Sequence, residues 1–78
     1  MTEISSLDSL PVGRPGIVTE IRAAGAMGRR LTDLGMIVGT EVCRVHRSPF
    51  GDPSAYRIRG AVIALRRSTA GEIMVRWE

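Results

Sequence analysis

Few residues in this chain can do covalent or metal chemistry. There is one cysteine, Cys43, and one histidine, His46. A thiolate–imidazole nucleophile needs the two groups within hydrogen-bond reach and a third group to orient the ring. Cys43 and His46 are three residues apart in a segment that reads as a strand. Strand side chains alternate, so this odd spacing sends them to opposite faces unless a bulge intervenes. The same stretch holds the candidate metal donors Glu41, Cys43, His46 and Asp52, and a hairpin would carry His46 toward Asp52. Their spacing lacks the close pairing of a four-ligand zinc site. At most they support a weakly held divalent ion, Fe2+ or Zn2+, on His46, Asp52 and Cys43, or one shared between two copies through His46. No cofactor is expected.

All 11 basic residues are Arg; Lys, Asn and Gln are absent. That excludes a P-loop lysine and a Schiff-base lysine. A single Cys excludes an internal disulfide, in keeping with a reducing compartment. Net charge is +3, unevenly spread: residues 1–28 carry two Arg and three acids, residues 29–78 nine Arg and five acids. Arg44, Arg47, Arg57, Arg59, Arg66 and Arg67 could form a basic patch for nucleic acid. Single-strand platforms also need exposed rings for stacking. The aromatics are only Phe50, Tyr56 and Trp77, and alternation turns Tyr56 and Trp77 inward. The patch reads better as a solvated face that docks protein than as a nucleic-acid grip. Phe50 differs from the other two, standing in a loop framed by Pro49, Gly51 and Pro53.

The elements that position these residues follow from periodicity. A chain of 78 residues supports one small domain, burying about 60% of the surface its unfolded form exposes. Residues 1–15 read as an N-terminal tethering segment, in which one turn would put Leu7 and Leu10 on the same side. The β-branched run Ile17–Ile21 reads as a strand. Met27, Leu31 and Leu34 form one helical stripe, which places a helix over Ala26–Leu34 stopped by Gly35. Strands are expected at Glu41–Arg47, Ala55–Arg59, Val62–Arg67 and Ile73–Trp77, with a hairpin loop over Ser48–Pro53 and a tight turn at Ser68–Gly71. A small, partly open SH3-like barrel of about five strands, mainly β with one short helix after the first strand, manages the sheet edges at this size. No signal peptide or bilayer-length apolar run is present, so a cytoplasmic protein without direct membrane insertion is expected.

Three segments carry a family resemblance. The run Arg29-Arg30-Leu31-Thr32-Asp33-Leu34-Gly35-Met36-Ile37-Val38-Gly39-Thr40-Glu41-Val42 resembles the helix–turn–strand signature of the FeoA family of ferrous iron transport proteins. Ser48-Pro49-Phe50-Gly51-Asp52-Pro53 resembles that family's Pro-x-Gly-Asp-Pro hairpin, and Gly60–Arg67 its closing strand. The likeness covers nearly the whole chain in order. It implies a free-standing cytosolic protein with an SH3-like barrel that is not an enzyme and acts beside a membrane ferrous iron permease carrying a cytosolic GTPase domain. The same fold occurs at the C-terminus of iron- and manganese-dependent repressors, so a divalent-metal-binding module and a small nucleic-acid-binding barrel are the alternative readings. The chain has no winged-helix part, and a homo-oligomer is left open. The expected docking surface joins the hairpin loop (Pro49, Phe50, Pro53) to the helix end (Met36, Ile37), with Arg29 and Arg30 steering toward an acidic partner.

Overall fold

The computed structural model describes residues 2–78. Six strands form one antiparallel open sheet: β1 (Glu3–Ser6), β2 (Pro15–Ile21), β3 (Glu41–Arg47), β4 (Ser54–Ile58), β5 (Ala61–Leu65) and β6 (Ile73–Trp77), in the order β1-β6-β2-β3-β4-β5. A nine-residue helix, α1 (Gly25–Asp33), follows β2, and a single turn, α2 (Arg67–Ala70), joins β5 to β6. The mainly β, partly open SH3-like architecture is as expected, with one strand more than the five read from the sequence.

The additional strand is β1, in the stretch expected to be a tether. Glu3 to Ser6 pair with Trp77 to Met74 of β6. A 3-10 turn over Leu7–Ser9 follows, closed by Leu10 N–H to the Leu7 carbonyl at 3.1 Å. Leu7 and Leu10 are both fully buried. Burying a leucine side chain is worth about 1.5–3 kcal/mol, so residues 3–10 are part of the folded body. A polar-looking start of chain conceals this, because two leucines in one turn make no periodic signal.

Both long strands carry a bulge. In β2, Val18 pairs with Val75 but Glu20 with Met74, which leaves Thr19 as the extra residue. The shift puts Ile21 opposite Ile73 and against the core, and leaves Glu20 exposed. In β3, Arg44 pairs with Tyr56 and His46 with Ala55, so Val45 is the extra residue.

Helix α1 docks through fewer residues than its stripe suggests. Leu31 is buried, whereas Met27 and Leu34 are 43% and 38% exposed. The reason lies in how the helix stops. Gly35, at φ +96°, donates to the Thr32 carbonyl and Met36 to the Leu31 carbonyl, both at 2.9 Å. This is the Schellman arrangement, in which the residue after the glycine packs back on the helix. Met36 is therefore fully buried.

Arg44 was grouped with the outward arginines but belongs to the core. Val42 and Arg44 share the inner face of β3, opposite Ile58 and Tyr56 of β4, and Arg44 is only 3% exposed. Its Nη2 donates to the Asp8 carbonyl and, at 3.0 Å, to the Tyr56 hydroxyl. Its Cζ lies 5.5 Å from the Tyr56 ring centroid. Nε and Nη1 are buried without a hydrogen-bond partner. No carboxylate pairs with it, because Arg22–Glu20 is the one ion pair among the described residues.

A buried, half-satisfied cation of this kind links two segments at a substantial desolvation cost. Replacing it should separate these effects. Arg44→Ala leaves the Tyr56 hydroxyl and Asp8 carbonyl unpaired above a cavity, and should cost about 2–4 kcal/mol in urea unfolding. Arg44→Met keeps the stem and removes the charge, and should fall within about 1 kcal/mol of the parent or exceed it.

Candidate functional site

The β3–β4 hairpin loop presents the most exposed large apolar side chain, Phe50, at 93% exposure. Its backbone is well tied. Ser48 N–H donates to the Pro53 carbonyl (3.2 Å) and Gly51 N–H to the Ser48 carbonyl (2.9 Å), and Gly51 takes φ +81°. The Asp52–Pro53 peptide is cis. Asp52 Oδ1 accepts the backbone N–H of Arg67 at 2.8 Å, which latches the loop to α2. Pro49 is exposed beside Phe50, and Pro53 is half-buried at the base. A ring held out in water by a braced loop has the geometry of a docking point.

The other expected docking residues lie elsewhere. Ile37 is 38% exposed and Val38 64% exposed, in the connector that enters β3 at the end away from Phe50. Seven residues of strand, about 20 Å, separate the two ends. Met36 is a core residue and presents nothing to a partner. Arg29 and Arg30 are both exposed but diverge, as consecutive helical residues must. Arg29 borders a cleft with Ile21 and Ala23, whereas Arg30 lies in a groove with Met27, Leu34 and residues of β5. The expected single surface is thus divided: Pro49, Phe50 and Pro53 come together, Ile37 stands at the far end, and the two arginines face different clefts.

The bulge at Val45 changes the relation of Cys43 and His46. Their ladder partners, Arg57 and Ala55, are two residues apart on β4, so both side chains project from the same face of the sheet. The opposite-face expectation is therefore corrected. The separation along the sheet is about 7 Å, too long for a hydrogen bond. Each group turns to its own backbone: Cys43 Sγ–H donates to the Arg44 carbonyl at 3.6 Å, and His46 Nδ1 lies 3.3 Å from the Arg47 carbonyl. Asp52 is engaged with Arg67. Among the described residues no three His, Cys, Asp or Glu side chains converge on a point that could hold a metal. The arrangement provides no nucleophile–base pair.

The basic patch is thinner than the sequence suggests, since Arg44 is internal while Arg47, Arg57, Arg59, Arg66 and Arg67 are exposed. Tyr56 is buried, and Trp77 is half-buried with Nε1–H donating to Ser5 Oγ at 3.0 Å. Phe50 is left as a lone exposed ring, which is not a stacking platform. The strand expected at Val62–Arg67 is β5, which runs Ala61–Leu65 because Arg67 already opens α2; what sequence reasoning missed is that it is an edge. Its run Ala61-Val62-Ile63-Ala64-Leu65 reads as a closing strand of a barrel, and only the sheet order shows that it stays open on one side.

Among the described residues no helix is long and apolar enough to cross a membrane. A family model described as the FeoA domain matches residues 5–76. The chain is 29% identical over 69 residues to the Fe(2+) transport protein A/Fe(2+) transporter FeoB fusion protein of Porphyromonas gingivalis, across 88% of this chain. It spans only 8% of that fusion protein. The fold superposes on iron(II) transport protein A from Clostridium thermocellum with a TM-score of 0.88 at 29% identity, covering 92% of this chain and 44% of that one. It superposes on Stenotrophomonas maltophilia FeoA complexed with zinc with a TM-score of 0.80 at 31% identity, covering 90% and 87% of the two chains. The β-sheet with its short helix and the match along almost the whole length agree: the chain belongs to the FeoA domain family.

Proposed function

We propose that this protein is a cytoplasmic accessory of bacterial ferrous iron uptake that binds the cytosolic part of the membrane ferrous iron permease, including its GTPase domain. The observation that carries this reading is the Porphyromonas gingivalis relative, in which transport protein A and the transporter FeoB form one polypeptide. Fusion keeps two partners at high effective concentration and suits an interaction that is weak between separate chains. The domain is non-catalytic, so its effect on the permease is exerted through contact.

Phe50 is the proposed anchor of that contact, with Pro49 beside it and Pro53 bracing the loop. An aromatic ring that enters a partner pocket is the usual form of an interface hot spot. The surrounding patch is small, which gives an interface at the low end of the size range and a modest affinity. Exposed arginines, including Arg29 and Arg30, speed encounter with an acidic partner surface more than they tighten the complex.

In a pull-down with the permease's cytosolic region, Phe50→Ala should weaken capture about tenfold to a hundredfold. Because the ring is 93% exposed, the same change should leave unfolding free energy within about 0.5 kcal/mol of the parent. Unchanged capture by a stable Phe50→Ala protein contradicts the loop as anchor. Arg29→Glu with Arg30→Glu should slow association and flatten its dependence on salt, while dissociation changes little. Stopped-flow or surface-binding kinetics at two ionic strengths reads this directly.

A further inference from the structure

The two edges of the sheet are built differently. Edge strand β1 has four residues and carries Glu3. Edge strand β5, Ala61–Leu65, has no charge, no proline and no glycine, and its register with β4 is regular, without a bulge. Proteins blunt exposed edges with charges, prolines or bulges, and β5 has none of these within its five residues. It pairs with β4 alone, so among the described residues the backbone groups on its other flank have no partner strand. Ala61, Val62 and Ala64 are exposed, Val62 by 56%.

An apolar groove runs beside this edge. It has a volume of about 470 Å³ and lies between β5 and α1, lined by Met27, Leu31, Leu34, Ile63 and Leu65. This is where the partly exposed residues of the helical stripe are found. Arg30 and Arg66 also line it. Arg57 stands opposite Val62 in the ladder, and Arg59 and Arg67 flank the strand. None of these arginines is in an ion pair.

We propose that the β5 edge and its groove receive an extended, acidic segment of another protein, added to the sheet as a seventh strand. The unpaired backbone supplies affinity, alternate apolar side chains of the incoming strand enter the groove, and acidic residues at its ends meet Arg30 and Arg66, which are exposed beside the groove. A second copy of this chain fits poorly. Arg59 and Arg67 stand just outside the two ends of β5, so antiparallel self-pairing centred on Ile63 brings the Arg59 end of one copy to the Arg67 end of the other, and does so twice. Like charges placed opposite each other across a strand pair repel. The inference goes beyond the Phe50 contact and does not depend on the permease as the source of the segment.

The probe is a synthetic peptide with Val at alternate positions, Thr between them and Glu at both ends, added to the full chain and followed by amide hydrogen exchange and by titration. Binding should slow exchange at alternate amides of residues 61–65. It should weaken about tenfold in Arg30→Glu with Arg66→Glu, both exposed positions. A peptide with Lys in place of Glu should not bind. Four results overturn the proposal: no binding of the Glu peptide, binding that leaves the β5 amides unchanged, equal binding of the Lys peptide, or self-association that protects β5 without any peptide.

Discussion

The Arg44 guanidinium is the point on which the arrangement of this small body turns. It sits inside the sheet, one nitrogen shared between the Asp8 carbonyl and the Tyr56 hydroxyl. It joins three segments that are distant in sequence: the N-terminal turn, β3 and β4. The turn brings Leu7 and Leu10 into the core, and Tyr56 is the largest fully buried side chain there. A cation in such a place lowers stability relative to a well-packed apolar residue. In exchange it ties the Asp8 carbonyl of the N-terminal turn to the inner face of β3 and β4.

That fixed interior leaves function to the outside. From Arg44 the β3 strand runs on to the hairpin loop, and Asp52 ties the loop to α2, the turn that follows β5. The base of the loop is also in register with the end of β5, through Ser54 opposite Leu65. The exposed Phe50 ring and the open edge therefore meet at one corner of the molecule. The Cys43 and His46 side chains project from the sheet away from the core cluster. The family match and the fused relative support ferrous iron transport as the proposed setting for such contacts.

Much of this was readable from residues alone. The bounds of β3 and β6 match their apolar alternation, and Gly35 stops α1 as its sequence position demands. Four features were not readable, each for a physical reason. Bulges at Thr19 and Val45 shift the side-chain parity that alternation assumes, and put Cys43 and His46 on one face. Arg44 occupies an inward position that any pattern rule assigns to an apolar residue. Met36 looks like a helix-end contact but is drawn inside by the Schellman turn. The open flank of β5 is a property of strand order, and strand order depends on long-range pairing of β6 with both β1 and β2. Among the residues expected to dock, the exposure of Phe50 follows from the prolines and glycine around it, which leave the ring little to pack against.

The central claim is that this domain works by contact through the corner formed by the Phe50 loop and the β5 edge. Hydrogen exchange measured on the full chain, alone and with the cytosolic region of the ferrous iron permease, addresses it most directly. The account predicts slowed exchange in residues 48–53 and 61–65, with the amides of β1 unchanged. Slowing confined to β1, or no slowing anywhere at saturating permease, would contradict it.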